Sequence, residues 1–258
     1  MSVDGMVARV VDGITIYNWR VFEPWNNKIR TGITTKLNEL DKKHQPIDQK
    51  SADYRNRAAV AGALGVPTAS WARANQVHGI SIADAESCSD EPFDSCDAIC
   101  VSKNNIIAAI LLADCHPVAV YDPVRNSGVI CHAGWKGTAS GIAVSGVQHL
   151  INSGSRVEDL IAAAGPGIGP CCYPVGREVA DRFEDRHIYP ETVVVQDADG
   201  RYRLDLEEAN LARLRAAGIQ EDQLGRGGFC TACRSEEFHS HRKEKGLTAR
   251  QVAVMVLL

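Results

Sequence analysis

The chain has 258 residues, enough to bury a core in one large domain or two small ones. Its 45% hydrophobic and 23% charged residues are typical of globular proteins. A formal net charge of −4 argues against nucleic-acid binding as the main role, because phosphate contacts require a clustered basic excess. We expect no secretory signal, and the apolar run over residues 106–113 is too short to span a bilayer. Nine scattered cysteines predict reduced thiols and a cytoplasmic location.

The predicted elements begin with an exposed polar loop over residues 38–52 and a helix over 53–66 that ends at Gly65. Alternating and apolar runs predict the next strands, over residues 69–74, 79–85, 106–115, 117–123 and 127–134. Helices and strands then alternate: a helix over 138–151, a strand over 159–169, a helix over 176–185, a strand over 191–196, a helix over 204–218 and a terminal strand over 250–258. Several strand connections are too short for helical crossovers, so we expect a mixed-sheet α+β fold.

Three motifs place a metal-binding side chain where a strand or a turn ends, namely NQVHG at 75–79, ADCHP at 113–117 and CHAGWKG at 131–137. Together His78, Cys115 and His132 form a set of two nitrogens and one sulfur. Three protein ligands with an open fourth position are typical of a catalytic zinc. Their separation along the chain follows no metal rule, and each residue taken alone is more often a core or turn residue than a metal ligand. Alternation along the strands places the neighbours His116 and Cys131 on the opposite faces.

Four further cysteines offer a second candidate site. Cys230 and Cys233 form one CxxC pair, and Cys171 and Cys172 are adjacent. A four-cysteine zinc site normally uses two CxxC pairs, and a redox CxxC normally opens a helix after a strand. We therefore expect these four cysteines in core or turn positions. The GPGIGP segment at 165–170 matches neither a dinucleotide nor a P-loop motif, so its glycines predict tight turns or close backbone approach.

Taken together and in order, five segments resemble one known family: NQVHG, ADCHPVAVYDP, HAGWKG, GPGIGPCCYPVG and SHRKEKGLTARQ. This is the family known both as laccase-like polyphenol oxidoreductases and as zinc-dependent purine nucleoside phosphorylases, with some members described as peptidoglycan editing factors. The resemblance implies one catalytic domain over residues 1–258. Its fold would be a compact α+β arrangement of layered helices and mixed β-sheets, an αββα-type sandwich similar to the catalytic domain of cytotoxic necrotizing factors.

The same resemblance implies that His78, Cys115 and His132 hold Zn²⁺, and we expect zinc rather than copper. The implied activity is phosphorolysis of adenosine, inosine, guanosine and methylthioadenosine, with adenosine deamination in the same pocket. Beside Cys115 and His132 we assign Asp114 to catalysis, as a proton-transfer group. Nucleosides and phosphate are the expected partners, with no nucleic acid and no membrane. Substrate contacts are assigned to four cationic or donor side chains: Arg57, Lys136, His241 and Arg242.

Three other functions stay open at this point. A metal-free cysteine hydrolase or deamidase would use Cys115 as nucleophile and His132 as base. A hydrolase that edits peptidoglycan precursors would follow from the other description of the family. A copper polyphenol oxidase, or laccase, would share the two histidines and the cysteine, but blue-copper sites add a weak axial ligand such as methionine. Met1, Met6 and Met255 are remote from every motif, which disfavours copper.

Overall fold

The centre of the protein is a pair of β-sheets packed face to face. The computed structural model describes residues 3–36, 51–86, 91–185, 187–245 and 249–258. The strands are Val3–Asp4 (β1), Met6–Val11 (β2), Ile14–Trp19 (β3), Ile29–Thr34 (β4), Ser70–Arg73 (β5), Ile82–Asp84 (β6), Ala98–Val101 (β7), Ile106–Leu112 (β8), His116–Asp122 (β9), Ser127–Ala133 (β10), Ile161–Ala164 (β11), Pro174–Val175 (β12), Val194–Gln196 (β13), Tyr202–Leu204 (β14), Leu224–Arg226 (β15) and Gln251–Leu257 (β16).

Helices cover the outer faces of the sheets. The α-helices are Ser51–Ala63 (α1), Trp135–Ser140 (α2), Ile142–Asn152 (α3), Arg177–Ala180 (α4) and Leu206–Ala216 (α5). Short 3₁₀ turns connect other elements, at Arg20–Trp25, Val157–Asp159, Pro170–Cys172, Asp181–Phe183 and Glu221–Gln223. Within these described residues, no helix is both long and apolar enough to cross a membrane.

Both large sheets mix parallel and antiparallel pairs. The seven-stranded sheet runs β1-β15-β11-β9-β10-β7-β6, and the six-stranded sheet runs β2-β3-β4-β16-β8-β5. In the first, β9 and β10 form an antiparallel hairpin while β11 and β15 are parallel. In the second, β5 and β8 are parallel although β8 and β16 are antiparallel. A small sheet, β12-β14-β13, stands apart from both. These mixed sheets confirm the α+β class expected from the short strand connections.

Strand alternation divides the apolar residues among three packed layers. Ile130 of β10 and Ile110 of β8 belong to the core between the sheets, whereas Val129 and Cys131 face α3 and α5 on the outer side. Helix α1 covers the other outer face, where Val60 packs on residues of β8 and β16. The order helix, sheet, sheet, helix is the layered arrangement that the family resemblance implied. It leaves the ends of the central strands free to carry polar side chains.

Helix α5 shows how far local signals specify an element. Asp205 precedes it, and its carboxylate accepts a hydrogen bond from the backbone N–H of Glu208, as an N-cap residue does. Gly218 follows with a φ of 103°, a left-handed conformation that suits glycine after a helix end. The observed helix is therefore two residues shorter at each end than the predicted range 204–218. This difference is the ordinary uncertainty of helix boundaries.

Other predicted boundaries were wrong for identifiable reasons. The helix expected over 138–151 begins at Trp135 and is broken by Gly141, whose φ of 93° separates α2 from α3. The strand expected over 159–169 ends at Ala164, because the glycines and prolines after it form a loop. The helix expected over 176–185 is only the short α4 followed by a 3₁₀ turn. The strands that were not predicted are β1, β2, β3, β4, β7, β12, β14 and β15. Most of the loop expected over 38–52 lies outside the described residues, and its last two residues belong to α1.

Candidate metal centre

Three segments that are distant in sequence meet where the central strands β8, β9 and β10 end or begin. Cys115 lies in the turn between β8 and β9, directly after Asp114, which has a φ of 83°. His132 is near the end of β10, opposite Pro117 of β9 in the hairpin register. His78 lies in the loop between β5 and β6 with a φ of 61°. Two left-handed non-glycine residues in one cluster indicate that the surrounding contacts hold the backbone there.

The three side chains are close enough to share one ion. Their donor atoms all lie within 4.8 Å of one another, and His78 Nε2 is 4.0 Å from Cys115 Sγ. Two zinc ligands of this kind would be about 3.6 Å apart in a tetrahedral site. The imidazole rings of His78 and His132 meet edge to face, with centroids 4.8 Å apart. The residues therefore fit a metal with two nitrogens and one sulfur.

Glycine at position 134 makes room for this arrangement. A Cβ at Gly134 would lie 2.9 Å from His78 Cδ2 and 3.0 Å from Cys115 Sγ. At 2.9 Å the His78 ring would have to move, and at 3.0 Å the Cys115 sulfur would have to give by a few tenths of an ångström, so a larger residue would crowd two of the three candidate ligands. The glycine of the HAGW motif thus has a steric role that the sequence pattern alone did not reveal.

Asp97 connects two of the candidate ligands. Its carboxylate Oδ1 lies 2.8 Å from His132 Nδ1 and accepts the backbone N–H of His78 at 2.9 Å. Oδ2 accepts the backbone N–H groups of Val77 and Gly79, at 3.1 Å and 2.7 Å. The side chain is fully buried. A carboxylate behind a histidine is the usual outer partner of a metal ligand, because it orients the ring and selects the tautomer that leaves Nε2 for the ion.

Burial and hydrogen bonding act against each other on these groups. Burial raises the pKa of Cys115, but hydrogen bonds with His132 and His78 outweigh it and lower that pKa to about 6. Burial lowers the pKa of His132, but hydrogen bonds with Asp97 and Cys115 raise it to about 9. The pKa of Asp97 rises by burial and falls, to about 2, by its bonds to His132 and the backbone. Without metal, the cluster is therefore a thiolate–imidazolium pair between about pH 6 and pH 9.

This pair predicts an unusual pH dependence for alkylation of Cys115 in metal-free protein. Because only the thiolate reacts, the rate should rise as the pH passes about 6, rather than about 8.5 as for an ordinary thiol. Iodoacetamide labelling followed by mass spectrometry of the Cys115 peptide measures this. The same peptide in denaturant is the control, and equal midpoints in folded and unfolded protein would contradict the thiolate–imidazolium pair. The lowered pKa of Cys115 makes folding less favourable as the pH falls from about 8.5 to about 6, whereas the raised pKa of His132 makes folding less favourable as the pH rises from about 6.5 to about 9.

Asp114 is buried and both of its carboxylate oxygens have partners. Oδ1 accepts the hydroxyl of Thr231 at 2.7 Å, and Oδ2 accepts the backbone N–H of Arg242 at 2.7 Å. Asp114 thereby ties two later segments of the chain to the turn that carries Cys115. This geometry makes Asp114 a positioning residue in the described structure, and its assignment to proton transfer stays a prediction.

The predicted substrate residues are placed unequally. The Arg242 guanidinium stacks 4.9 Å from the centre of the Tyr173 ring. Burial raises the pKa of Tyr173 to about 12; the Cys115 charge raises this pKa further, and the Arg242 charge lowers it. His241 is exposed beside Arg242. Exposed Lys136 covers the ring of Trp135 with Nζ 5.7 Å from its centroid. Trp135 itself packs on the cluster around Phe183 and Leu206, so one role for it is simply packing.

Arg57 is the candidate that lies on a helix of the other outer layer. It lies on α1, which packs on the outer face of the six-stranded sheet, whereas His132 belongs to the seven-stranded sheet. Its substrate-binding role stays a prediction. The neighbours excluded by strand alternation point elsewhere: His116 faces the carbonyl oxygens of Gly165 and Ile168, and Cys131 faces that of Ile142.

Sequence reasoning missed several residues of the centre. Asp97 comes just before β7, a strand that was not predicted, and nothing in its local sequence distinguishes it from other aspartates. Tyr173 follows the adjacent cysteines and gave no signal beyond its aromatic ring. Core or turn positions were expected for the four cysteines 171, 172, 230 and 233; three of them lie in turns, and Cys230 lies in an isolated β-bridge. Their sulfur atoms nevertheless converge within 4.8 Å of one another, and Cys171 and Cys233 are exposed, which excludes a core position for these two.

Comparison with known proteins agrees with this geometry. The class defined by the fold and the site is a layered α+β protein with a two-histidine, one-cysteine centre. Residues 29–258 match the family described as multi-copper polyphenol oxidoreductase laccase, and the chain belongs to that family. A relative from Deinococcus radiodurans, named purine nucleoside phosphorylase, is 38% identical to this chain. The match covers 82% of this chain and 81% of the relative's length.

Two further comparisons bear on activity and fold. A protein of an unknown prokaryotic organism, named adenosine deaminase RL5, is 33% identical over 57% of this chain and 56% of its own length. The crystal structure of the Bacillus licheniformis hypothetical protein YfiH covers 97% of this chain and 99% of that one, with 32% identity and a TM-score of 0.84. The resemblance seen in the motifs is thereby confirmed, and the family is one of metal-binding enzymes.

Proposed function

We propose that this chain is a zinc-dependent purine nucleoside phosphorylase that also deaminates adenosine. The observation that carries the proposal is the convergence of His78, Cys115 and His132 within 4.8 Å, with Asp97 bonded behind His132. Relatives named purine nucleoside phosphorylase and adenosine deaminase support the choice of substrate. A cytoplasmic location for the reaction stays a prediction from the sequence.

The donor set supports zinc over copper. Blue-copper centres add a weak axial ligand, most often methionine. Met6 and Met255 lie in the core between the sheets, and Met1 is outside the described residues. A three-ligand site with one open position is instead the usual arrangement of catalytic zinc. When bound, zinc supplies Lewis-acid chemistry and lowers the pKa of water at its open position to about 7.

Other residues of the chain would position the metal ligands and bind phosphate. Asp97 holds the His132 ring through Nδ1 and keeps the loop of His78 in place through its backbone. Asp114 holds the segment of Arg242 beside Cys115. Arg242, stacked on Tyr173, presents the planar guanidinium that binds phosphate oxygens best. We infer that phosphate binds there, where it would face the ribose carbon from which the base departs.

The test is an assay of adenosine turnover by chelator-stripped and zinc-reloaded protein, with and without phosphate. We expect adenine release that requires both zinc and phosphate, and inosine formation that requires zinc alone. Zinc-independent turnover by the stripped protein would overturn the proposal and favour the cysteine hydrolase with Cys115 as nucleophile. Nucleoside binding without turnover in the zinc-loaded protein would instead indicate a binding protein.

A further inference from the structure

A second group of metal-binding side chains lies outside the histidine-containing centre. Cys171 and Cys172 belong to the 3₁₀ turn Pro170–Cys172, Cys230 lies in a β-bridge after β15, and Cys233 lies in the turn that follows it. The four sulfur atoms all lie within 4.8 Å of one another. Cys233 Sγ is 3.5 Å from Cys171 Sγ and 3.4 Å from Cys172 Sγ. None of the four takes part in the function proposed above.

These distances suit a shared ion better than a disulfide. Four thiolates around zinc in a tetrahedron, with zinc–sulfur bonds near 2.3 Å, have sulfur atoms about 3.8 Å apart. A disulfide joins only two sulfurs, at about 2.05 Å, and would leave the other two thiols beside it without a role. In this cluster Cys233 contacts two other cysteines at nearly equal distances. The arrangement is that of a closed four-sulfur site.

Backbone groups already favour a thiolate in this cluster. The N–H of Gly169 donates to Cys230 Sγ at 3.2 Å, and the N–H of Cys233 points to the same sulfur. Despite burial, these bonds lower the pKa of Cys230. Several thiolates at this separation repel one another, and a dication between them removes that repulsion.

We propose that Cys171, Cys172, Cys230 and Cys233 bind one Zn²⁺ as a closed tetrathiolate site, separate from the centre at Cys115. The pairing of one CxxC turn with two adjacent cysteines replaces the two CxxC turns that such sites usually have. Binding forms four zinc–sulfur bonds and releases the thiol protons to water. With all four positions taken by protein, the ion is structural and leaves no position for a substrate.

The site joins two segments that support the histidine-containing centre. Gly167 and Cys230 form a parallel β-bridge, and the N–H of Thr231 donates to the carbonyl of Gly167 at 2.9 Å. Thr231 in turn holds Asp114, the neighbour of Cys115, through its hydroxyl. A zinc ion at the four cysteines would therefore clamp the GPGIGP loop and the CTAC turn to each other, and through Thr231 steady the turn that carries Cys115.

Zinc content per chain tests this proposal. We expect two equivalents in wild-type protein loaded with zinc, one in the double variant Cys171→Ser, Cys233→Ser, and one in Cys115→Ala. Cys96→Ser is the matched control with two equivalents, because its sulfur is buried and faces only the carbonyl of Phe93. A double variant that retains all the zinc of the wild type would overturn the proposal. If the Cys115 centre held no zinc, the wild type would bind one equivalent, and the double variant would lose it.

A second measurement needs no variant. Cys171 and Cys233 are exposed, so burial cannot protect them from iodoacetamide. In zinc-loaded wild-type protein we expect both to resist alkylation until a chelator is added, as read by mass spectrometry of their peptides. Equal alkylation rates in zinc-loaded and zinc-stripped protein, or a disulfide between two of the four cysteines in protein purified with a reductant, would overturn the proposal.

Discussion

Replacement of Cys115 by alanine should remove the metal from the histidine-containing centre and lower nucleoside turnover by at least about 10³-fold. The thiolate is the one negatively charged ligand of the set, and two histidines alone make a weak site. The Lewis acid is worth several kcal/mol of transition-state stabilisation, and each 1.36 kcal/mol changes the rate tenfold. Zinc content and adenosine turnover of the purified variant measure the two losses together.

Cys131→Ala is the matched control for this variant. Cys131 is a fully buried thiol next to His132, but it faces α3 rather than the metal centre. Its replacement should cost about 1 kcal/mol of stability, as the loss of a small buried group does, and leave zinc content unchanged. A Cys115→Ala protein with normal turnover would contradict the assignment.

His78→Ala separates zinc catalysis from nucleophilic catalysis by cysteine. The hydrolase alternative requires Cys115 and His132 only, so it predicts that this variant keeps its activity. The zinc centre requires all three side chains, so the variant should lose zinc and turnover like Cys115→Ala. Retained activity without zinc would favour the hydrolase.

Asp97→Asn should weaken zinc binding by about 10- to 100-fold, although Asp97 is not itself a ligand in the proposed centre. The two oxygens of Asp97 accept four hydrogen bonds, from His132 and from three successive backbone N–H groups. An asparagine offers a single acceptor oxygen, so its amide group would face at least two donors in either orientation. One buried donor left unsatisfied costs about 1–3 kcal/mol, which we expect in the stability of the metal-free protein.

Competition with a chromogenic chelator gives the zinc affinity of this variant, and urea unfolding gives its stability. Asp94→Asn is the control, since Asp94 is an exposed carboxylate three residues away that accepts a hydrogen bond from the Asn75 side chain at 3.4 Å. Turnover at saturating zinc should recover in part, because the ligands themselves remain. Equal zinc affinity in Asp97→Asn and wild type would show that Asp97 does not orient the centre.

Local patterns predicted the parts of the structure that local forces determine. The apolar runs of β8, β9, β10 and β16 are central strands buried between helices and the opposite sheet, and such strands can be recognised from composition. The alternation rule also placed His116 and Cys131 away from the centre, because side chains on a strand must alternate. Strand β7 gave no comparable signal, since all four of its residues are buried and its sequence shows no alternation of apolar and polar residues.

The sequence by itself determined the α+β class, the family and the three motifs that end at Cys115, His132 and His78. Those features depend on composition, short-range periodicity and residue identity. Only the tertiary structure decided which residues contact the candidate ligands: Asp97 is hydrogen-bonded to His132, and Gly134 lies close to His78 and Cys115. It also decided that four cysteines from two separate segments converge. Each of these is a contact between segments far apart in the chain, and its partner is selected by sheet order and loop packing, which no local pattern encodes.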